Sequence, residues 1–192
     1  LSLYTFLILM FLISIVEATN ITYISKDDGK TWSLEIGNVI NNLSTKGAVD
    51  PSPILLKNNE ILLYVLGSNS TSGDPQKTQP DNTWRIIVAR SNDNGKSFNE
   101  VGVVYSRNKG ISDPFPLLLP TGEIRLFISE GASVSSLTST DGITWSSNSN
   151  PGTGNCCKKI SYGINLYFLG GRWTYYSSDG SIWTKENSSS SN

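Results

Sequence analysis

The chain has 192 residues, with 15 basic against 16 acidic side chains, two cysteines and no histidine. That length suffices for one domain with a real core, and the balanced charge without a basic run argues against nucleic acid as a partner, whose surface needs clustered Lys and Arg. Without histidine, Ser-His-Asp and Cys-His catalysis and every His-ligated metal site are excluded; no Cys-x-x-Cys spacing exists either, so neither a cofactor nor a metal is expected.

Residues 1–16 form an almost unbroken apolar stretch, ended by Val16-Glu17-Ala18 with small residues where a signal peptidase accepts them. The stretch is shorter than the roughly 20 residues a membrane-spanning helix needs. A signal peptide over residues 1–18 is therefore expected, giving a secreted, extracellular protein without stable membrane insertion after cleavage. The missing initiator methionine and basic leader start fit a fragment of a longer chain. Four sequons, Asn20-Ile21-Thr22, Asn42-Leu43-Ser44, Asn69-Ser70-Thr71 and Asn187-Ser188-Ser189, fit a glycoprotein.

The domain proper is expected over residues 19–186. A short strand at 21–24 runs into Ser25-Lys26-Asp27-Asp28-Gly29-Lys30-Thr31-Trp32, the first of four similar stretches. Next, Val49-Asp50-Pro51-Ser52-Pro53-Ile54-Leu55-Leu56 reads as an Asp-Pro start and an apolar strand, followed by a turn at 57–60 and a strand at 61–66. The connection 68–82 is long for a β protein and either overhangs a pocket or is a surface insertion. A strand at 85–90 then meets Ser91-Asn92-Asp93-Asn94-Gly95-Lys96-Ser97-Phe98.

The plan repeats with Ser112-Asp113-Pro114-Phe115-Pro116-Leu117-Leu118-Leu119, a turn at 120–122, and strands at 123–129 and 134–138. The last of these enters Ser139-Thr140-Asp141-Gly142-Ile143-Thr144-Trp145. The neighbours Cys156 and Cys157 either close a strained disulfide ring, or stay free or pair between chains. Strands at 164–170 and 172–176 lead to Ser177-Ser178-Asp179-Gly180-Ser181-Ile182-Trp183. Residues 187–192 are polar and serine-rich, a composition expected to be disordered.

Each Ser-Asp-Gly-aromatic stretch makes sense as the corner of a β-hairpin. The aspartate accepts hydrogen bonds from nearby backbone N–H groups, the glycine supplies a positive φ, and the aromatic anchors the returning strand. The pattern resembles the Asp-box, or BNR repeat, of sialidases and many other β-propellers. That resemblance implies an all-β fold, a β-propeller of four-stranded antiparallel blades, with the boxes on the outer rim away from the active site. Blades run over about 49–109, 110–155 and from about 156 onward, while the first box supplies only two outer strands. The total is about three and a half blades, an incomplete four- to six-bladed propeller. Either the missing inner strands lie outside this chain, or the form is open and degenerate; an open stack leaves exposed sheet edges, which favours the first.

In a propeller, the starts of innermost strands converge on the axis, so Asp50 and Asp113 are expected at one pocket. Paired carboxylates serve glycoside hydrolysis, one as acid and the other as base or nucleophile. The Asp-Pro starts also resemble those of five-bladed arabinanase and β-xylosidase-type glycoside hydrolases. There the matching aspartates act as general base and pKa-tuning neighbour beside a glutamate acid, and Glu130 is the candidate glutamate here. In those enzymes the acid lies at the start of a later blade, where this sequence has Cys156-Cys157. The competing reading is that Asp-Pro merely begins a strand.

Sialidases instead hold the substrate carboxylate with three arginines, the first in a Phe/Tyr-Arg-Ile-Pro motif, and attack with a tyrosine helped by a glutamate. No such motif occurs. Trp84-Arg85-Ile86-Ile87 is nearest but precedes a box, and the arginines are only Arg85, Arg90, Arg107, Arg125 and Arg172. Tyr64, Phe115, Phe127, Tyr162 and Tyr167 either stack on sugar rings or form core between blades. The resemblance implies a carbohydrate ligand or substrate, with the protein either a glycosidase at Asp50, Asp113 and Glu130 or a non-catalytic binding module for glycan or protein ligands.

Overall fold

The computed structural model describes residues 8–11, 21–25, 27–35, 40–41, 43–45, 48–68, 83–108, 110–131, 133–147, 159–163, 166–170, 174–179 and 182–186. Among them there is no helix, and the strands form four sheets. The first contains β1 (Ile8–Phe11), β2 (Ile21–Ile24) and β3 (Ser33–Glu35). β4 (Ile40–Asn41) joins β5 (Ala48–Leu55), β6 (Ile61–Ser68), β7 (Trp84–Ser91) and β8 (Phe98–Arg107) in the order β4-β8-β7-β6-β5. The third sheet runs through β9 (Ile111–Leu118), β10 (Ile124–Glu130), β11 (Ser133–Ser139) and β12 (Ser146–Ser147). The fourth contains β13 (Lys159–Gly163), β14 (Leu166–Gly170), β15 (Tyr175–Ser177) and β16 (Thr184–Lys185).

Two pairings go beyond what the sequence led us to expect. Residues 8–11, inside the stretch read as a leader, pair antiparallel with β2, Ile8 opposite Ile24 and Phe11 opposite Ile21. A strand edge needs partners for its N–H and C=O groups, and an apolar, β-favouring run supplies them. β4 adds a parallel pair at the outer edge of β8, Ile40 opposite Phe98. Buried Ile40 and Phe98 share one apolar cluster, and that burial holds the short edge strand. The remaining leader residues, the asparagines of all four sequons, residues 69–82, both cysteines and the tail 187–192 lie outside the described residues.

β6 and β7 read as nearly continuous apolar runs because both their faces are covered. Leu62, Tyr64, Leu66, Ile86 and Val88 meet Ile124, Leu126 and Ile128 of the next sheet. On the other face Leu63, Val65, Ile87 and Ala89 pack with Phe98 and Ile40. Phe127, Val134, Ile160 and Tyr167 then join the third sheet to the fourth.

The four Ser-Asp corners share one clasp, the serine Oγ donating to the aspartate Oδ1. Ser91 Oγ donates to Asp93 Oδ1 at 2.7 Å and accepts from the Gly95 N–H at 2.8 Å, while Asp93 Oδ1 and Oδ2 accept from Ser97 N and Oγ at 2.9 and 2.6 Å. The corner at Ser25 and Asp27 repeats this with Gly29 and Thr31. The longer corners spend two residues in the left-handed region, Asp28 with Gly29 and Asn94 with Gly95, whereas the shortened third corner uses Gly142 alone at φ 74°. The one-residue difference in spacing is thus one left-handed residue more or less, with the serine–aspartate clasp unchanged.

These clasps predict an acid-sensitive fold. At Asp93 partial desolvation pushes the pKa up, but hydrogen bonds from the hydroxyls of Ser97 and Ser91 and from the backbone outweigh it, holding the carboxyl at about 2 against an ordinary 3.8. At Asp141 desolvation is likewise outweighed, by the N–H groups of Ile143 and Thr144 and by Ser139, again giving about 2. A folded pKa below the unfolded one gives stabilisation that is present above about pH 4 and lost as pH falls toward about 2. Urea unfolding across that range is expected to show this decline, and a double variant Asp93→Asn with Asp141→Asn to flatten it. An undiminished slope in that variant would reject the assignment.

Candidate functional site

Asp50 and Asp113 occupy the same unusual backbone setting in adjacent sheets. On β5 the register passes from Val49 opposite Leu66 to Ser52 opposite Tyr64, so β5 carries one residue more than β6 across that step. On β9 it passes from Ser112 opposite Ser129 to Phe115 opposite Phe127, with the same surplus. Each surplus is a β-bulge at an Asp-Pro pair, a device that re-aims a side chain. At these bulges Asp50 has φ 53° and Asp113 φ 49°. The other described non-glycine residues at positive φ, Asp28, Asn59 and Asn94, lie in turns; only these two are in strands.

A left-handed aspartate immediately before proline is doubly disfavoured, by its own Cβ and by the proline ring. Such strain costs on the order of 1–3 kcal/mol per residue and persists where the surroundings enforce it, a condition concentrated at functional sites. Here β5 packs against β9, and the Asp113 N–H points to Asp50 Oδ2 at 3.5 Å. Asp113 Oδ2 accepts the Ser112 hydroxyl at 2.8 Å. Both aspartates are half-buried.

Glu130 ends β10, and the ladder sets it opposite Ile111, at the same end of the sheet as Asp113. Its side chain is only 7% exposed. Arg107 Nη1 lies 2.8 Å from Glu130 Oε2, and the Tyr105 hydroxyl donates to Glu130 Oε1. Burial, and then the neighbouring Glu130 carboxylate, push the Tyr105 pKa up, so its proton stays on. The Arg107 guanidinium also sits 5.8 Å from the centre of the Tyr105 ring. Glu130 therefore has both oxygens engaged by groups from the end of β8, across a sheet boundary.

The strand registers put Asp50, Asp113, Glu130, Tyr105 and Arg107 at one end of the second and third sheets. The second and third Ser-Asp corners stand at the opposite end. Tyr105 and Arg107 were not singled out from the sequence. Their signal was the length of the strand: β8 runs ten residues, far enough to carry both along the β7 ladder to the aspartate end, Tyr105 opposite Ile86 and Arg107 opposite Trp84.

The aromatic candidates for sugar stacking fare differently. Tyr64, Phe127 and Tyr167 are 0, 1 and 3% exposed and belong to the core, because they fill the apolar clusters between neighbouring sheets. Phe115 and Tyr162 are half-buried against the same third cluster. Tyr64 Oη donates to the Gly142 carbonyl at 2.7 Å, and burial followed by the charge of Asp141 raises its pKa.

No protein-family model matches the chain. Several solved structures resemble it. A family 117 glycoside hydrolase from the marine bacterium Zobellia galactanivorans superposes with a TM-score of 0.67 at 14% identity, over 89% of this chain and 55% of its own. An α-L-arabinanase from Penicillium chrysogenum gives 0.64 at 18% identity, over 90% and 60%. A Hadza microbial sialidase gives 0.63 at 15% identity, over 90% and 40%. The chain thus spans about half the length of the structures it matches. At such identities the likeness shows the fold: all-β, built of antiparallel sheets, with propeller-fold glycoside hydrolases as neighbours.

Proposed function

We propose that this protein is a propeller of the glycoside hydrolase-like class that acts on carbohydrate, with its site at the end marked by Asp50 and Asp113. In this reading the four sheets are successive blades, the first keeping only β2 and β3 once the leader that contains β1 is removed. The apolar leader and the sequons support a secreted, glycosylated protein. The observation that carries the proposal is the pair of left-handed aspartates at matching bulges of β5 and β9, the end strands of adjacent sheets. A structure needing only a strand start would use glycine or an ordinary β residue there. Two carboxylates in neighbouring blades supply what hydrolysis of a glycosidic bond requires, one to activate water or attack and one to manage the proton.

Glu130 suits a positioning role in this reading. With Oε2 on Arg107 and Oε1 on Tyr105, it holds the two β8 side chains at the site. The same engagement favours a second reading, a binding module without turnover, because Glu130 has no oxygen free of a partner to deliver a proton to a leaving group.

Fluorogenic arabinosides, xylosides and sialosides separate the readings. Turnover of any of them is expected to fall by about 100-fold or more in kcat/KM in Asp50→Asn and in Asp113→Asn, with melting temperature little changed. Absence of turnover across the panel, with glycan binding retained, leaves the binding module. Turnover undiminished in both variants would remove these aspartates from the site.

A further inference from the structure

At the corner-bearing end, opposite the aspartates, a cleft of about 390 Å³ opens between the second and third sheets. Its floor is apolar: Ile124 belongs to the core shared by these sheets, and Leu56 and Leu118 pack against it. Its rim carries Lys57 and Arg90 against Glu60 and Asp141. This is within the size range of small-molecule sites, and an apolar floor with a few polar groups is their usual composition.

Arg90 is the residue that calls for an explanation. Along β7, Trp84, Ile86 and Val88 point into the core shared with the third sheet, and strand alternation puts Arg90 on that same face. An inward-facing position is thus filled by a guanidinium, which is costly unless its donors are met. They are not all met: among the described residues Arg90 Nε is buried without a hydrogen-bond partner, and Glu60 Oε2 lies 3.9 Å away, beyond hydrogen-bond reach.

The corresponding mouth between the third and fourth sheets shows the contrast. There Arg125 Nε donates to Glu123 Oε1 at 3.0 Å, its Nη1 donates to the Asp179 carbonyl, and its guanidinium lies 5.2 Å from the centre of the Tyr167 ring. That arginine is satisfied by its own protein. Arg90 stands beside open space with a donor to spare.

The charges select the ligand. Asp141 Oδ1 already accepts from Ser139, Ile143 and Thr144, which holds the carboxylate in its own corner with its charge intact. Glu60 half-neutralises Arg90 from a distance. Lys57 reaches across the mouth, its Nζ donating to the Pro120 carbonyl at 3.2 Å and retaining two further N–H donors. The two cations and two carboxylates of the rim sum to zero, so a single carboxylate that reaches the donors of Arg90 and Lys57 meets less repulsion from Glu60 and Asp141 than a doubly charged anion does.

We propose that this cleft is a second ligand site, which takes a small monocarboxylate with an apolar or ring-shaped body. The carboxylate lies on Arg90 and Lys57, and the body covers Leu56, Leu118 and Ile124. Arg90 is suited to this because guanidinium and carboxylate match in a planar, two-bond geometry. The site is separate from the aspartate end and does not depend on carbohydrate chemistry there.

Calorimetric titration of the full chain with benzoate, its neutral isostere benzamide and inorganic phosphate tests it. Benzoate is expected to bind saturably, with benzamide and phosphate each roughly tenfold weaker or undetectable. Arg90→Gln is expected to weaken benzoate roughly tenfold. Lys57→Gln, in an exposed turn where only the hydrogen bond to the Pro120 carbonyl is lost, weakens it in the same direction and covers the case in which Arg90→Gln fails to fold. Asp50→Asn leaves benzoate binding unchanged, which keeps this result independent of the glycoside panel. Benzoate that does not saturate in the tens of millimolar, or binds Lys57→Gln and a folded Arg90→Gln as tightly as the parent, overturns the proposal; so does phosphate or benzamide binding equally well.

Discussion

Replacing Phe127 by alanine is expected to destabilise the fold by about 3–5 kcal/mol. The ring is 1% exposed and stands at the boundary of the third and fourth sheets. It meets Tyr167 with ring centres 6.2 Å apart and Trp183 at 6.1 Å, both in edge-to-face geometry. Truncation therefore loses the buried area, leaves a cavity, and removes two aromatic contacts worth about 0.5–1.5 kcal/mol each beyond area. The neighbouring sheet can collapse only by moving Tyr167, whose ring also lies tilted against Tyr162 with centres 4.7 Å apart. Urea unfolding of Phe127→Ala beside Phe127→Leu measures this, the leucine variant costing less because it conserves more volume. A loss under about 1 kcal/mol for the alanine variant would mean the two sheets are not joined as described.

Gly142→Ala is expected to cost about 3 kcal/mol although it adds only a methyl group. That carbon would overlap Leu62 Cδ1 and lie 2.9 Å from Tyr64 Oη, both in the fully buried core. Overpacking alone costs about 1–3 kcal/mol, and φ 74° adds about 1–2 kcal/mol for any residue with a Cβ. Displacing Tyr64 would also break its hydrogen bond to the Gly142 carbonyl, leaving a buried hydroxyl unpaired. Gly102→Ala is the control, since a Cβ there meets nothing within 4 Å. It is expected to be neutral within about 0.5 kcal/mol, or slightly stabilising. Equal losses in the two variants would show a general intolerance of methyl groups rather than a crowded corner.

These two residues differ in how far the sequence announced them. The glycine could be read in advance, because an aspartate followed by glycine and then an aromatic defines a corner whatever the chain around it does. Its crowding could not, since Leu62 and Tyr64 come from another sheet. Phe127 was legible as apolar and in a strand, yet the same was true of Tyr64 and Tyr167. Nothing in their spacing told a ring that stacks on a ligand from one that fills the gap between sheets. Sheet stacking decides it: Tyr64, Phe127 and Tyr167 lie on faces that a neighbouring sheet covers.

The candidate site divides the same way. Asp50 and Asp113 stood out because two Asp-Pro pairs headed two similar apolar runs. Their left-handed backbone and the shared one-residue bulge are visible only in the strand registers. Tyr105 and Arg107 were missed because, although the length of β8 carries them to that end, only the packing of the next sheet brings them to Glu130. Arg90 looked like one more surface arginine until its strand was seen to face a core.

By itself the sequence determined the corners and their repetition along the chain. The corners rest on hydrogen bonds between residues no more than four apart, such as Ser91 with Gly95 and Asp93 with Ser97, so local sequence suffices. The tertiary structure decided the rest, through partners far apart in the chain. Glu130 with Tyr105 spans 25 residues, Asp50 with Asp113 spans 63, and Tyr64 with Gly142 spans 78. Closing such separations depends on how sheets stack and which face of each is covered, a property of the packed core as a whole that no short stretch carries.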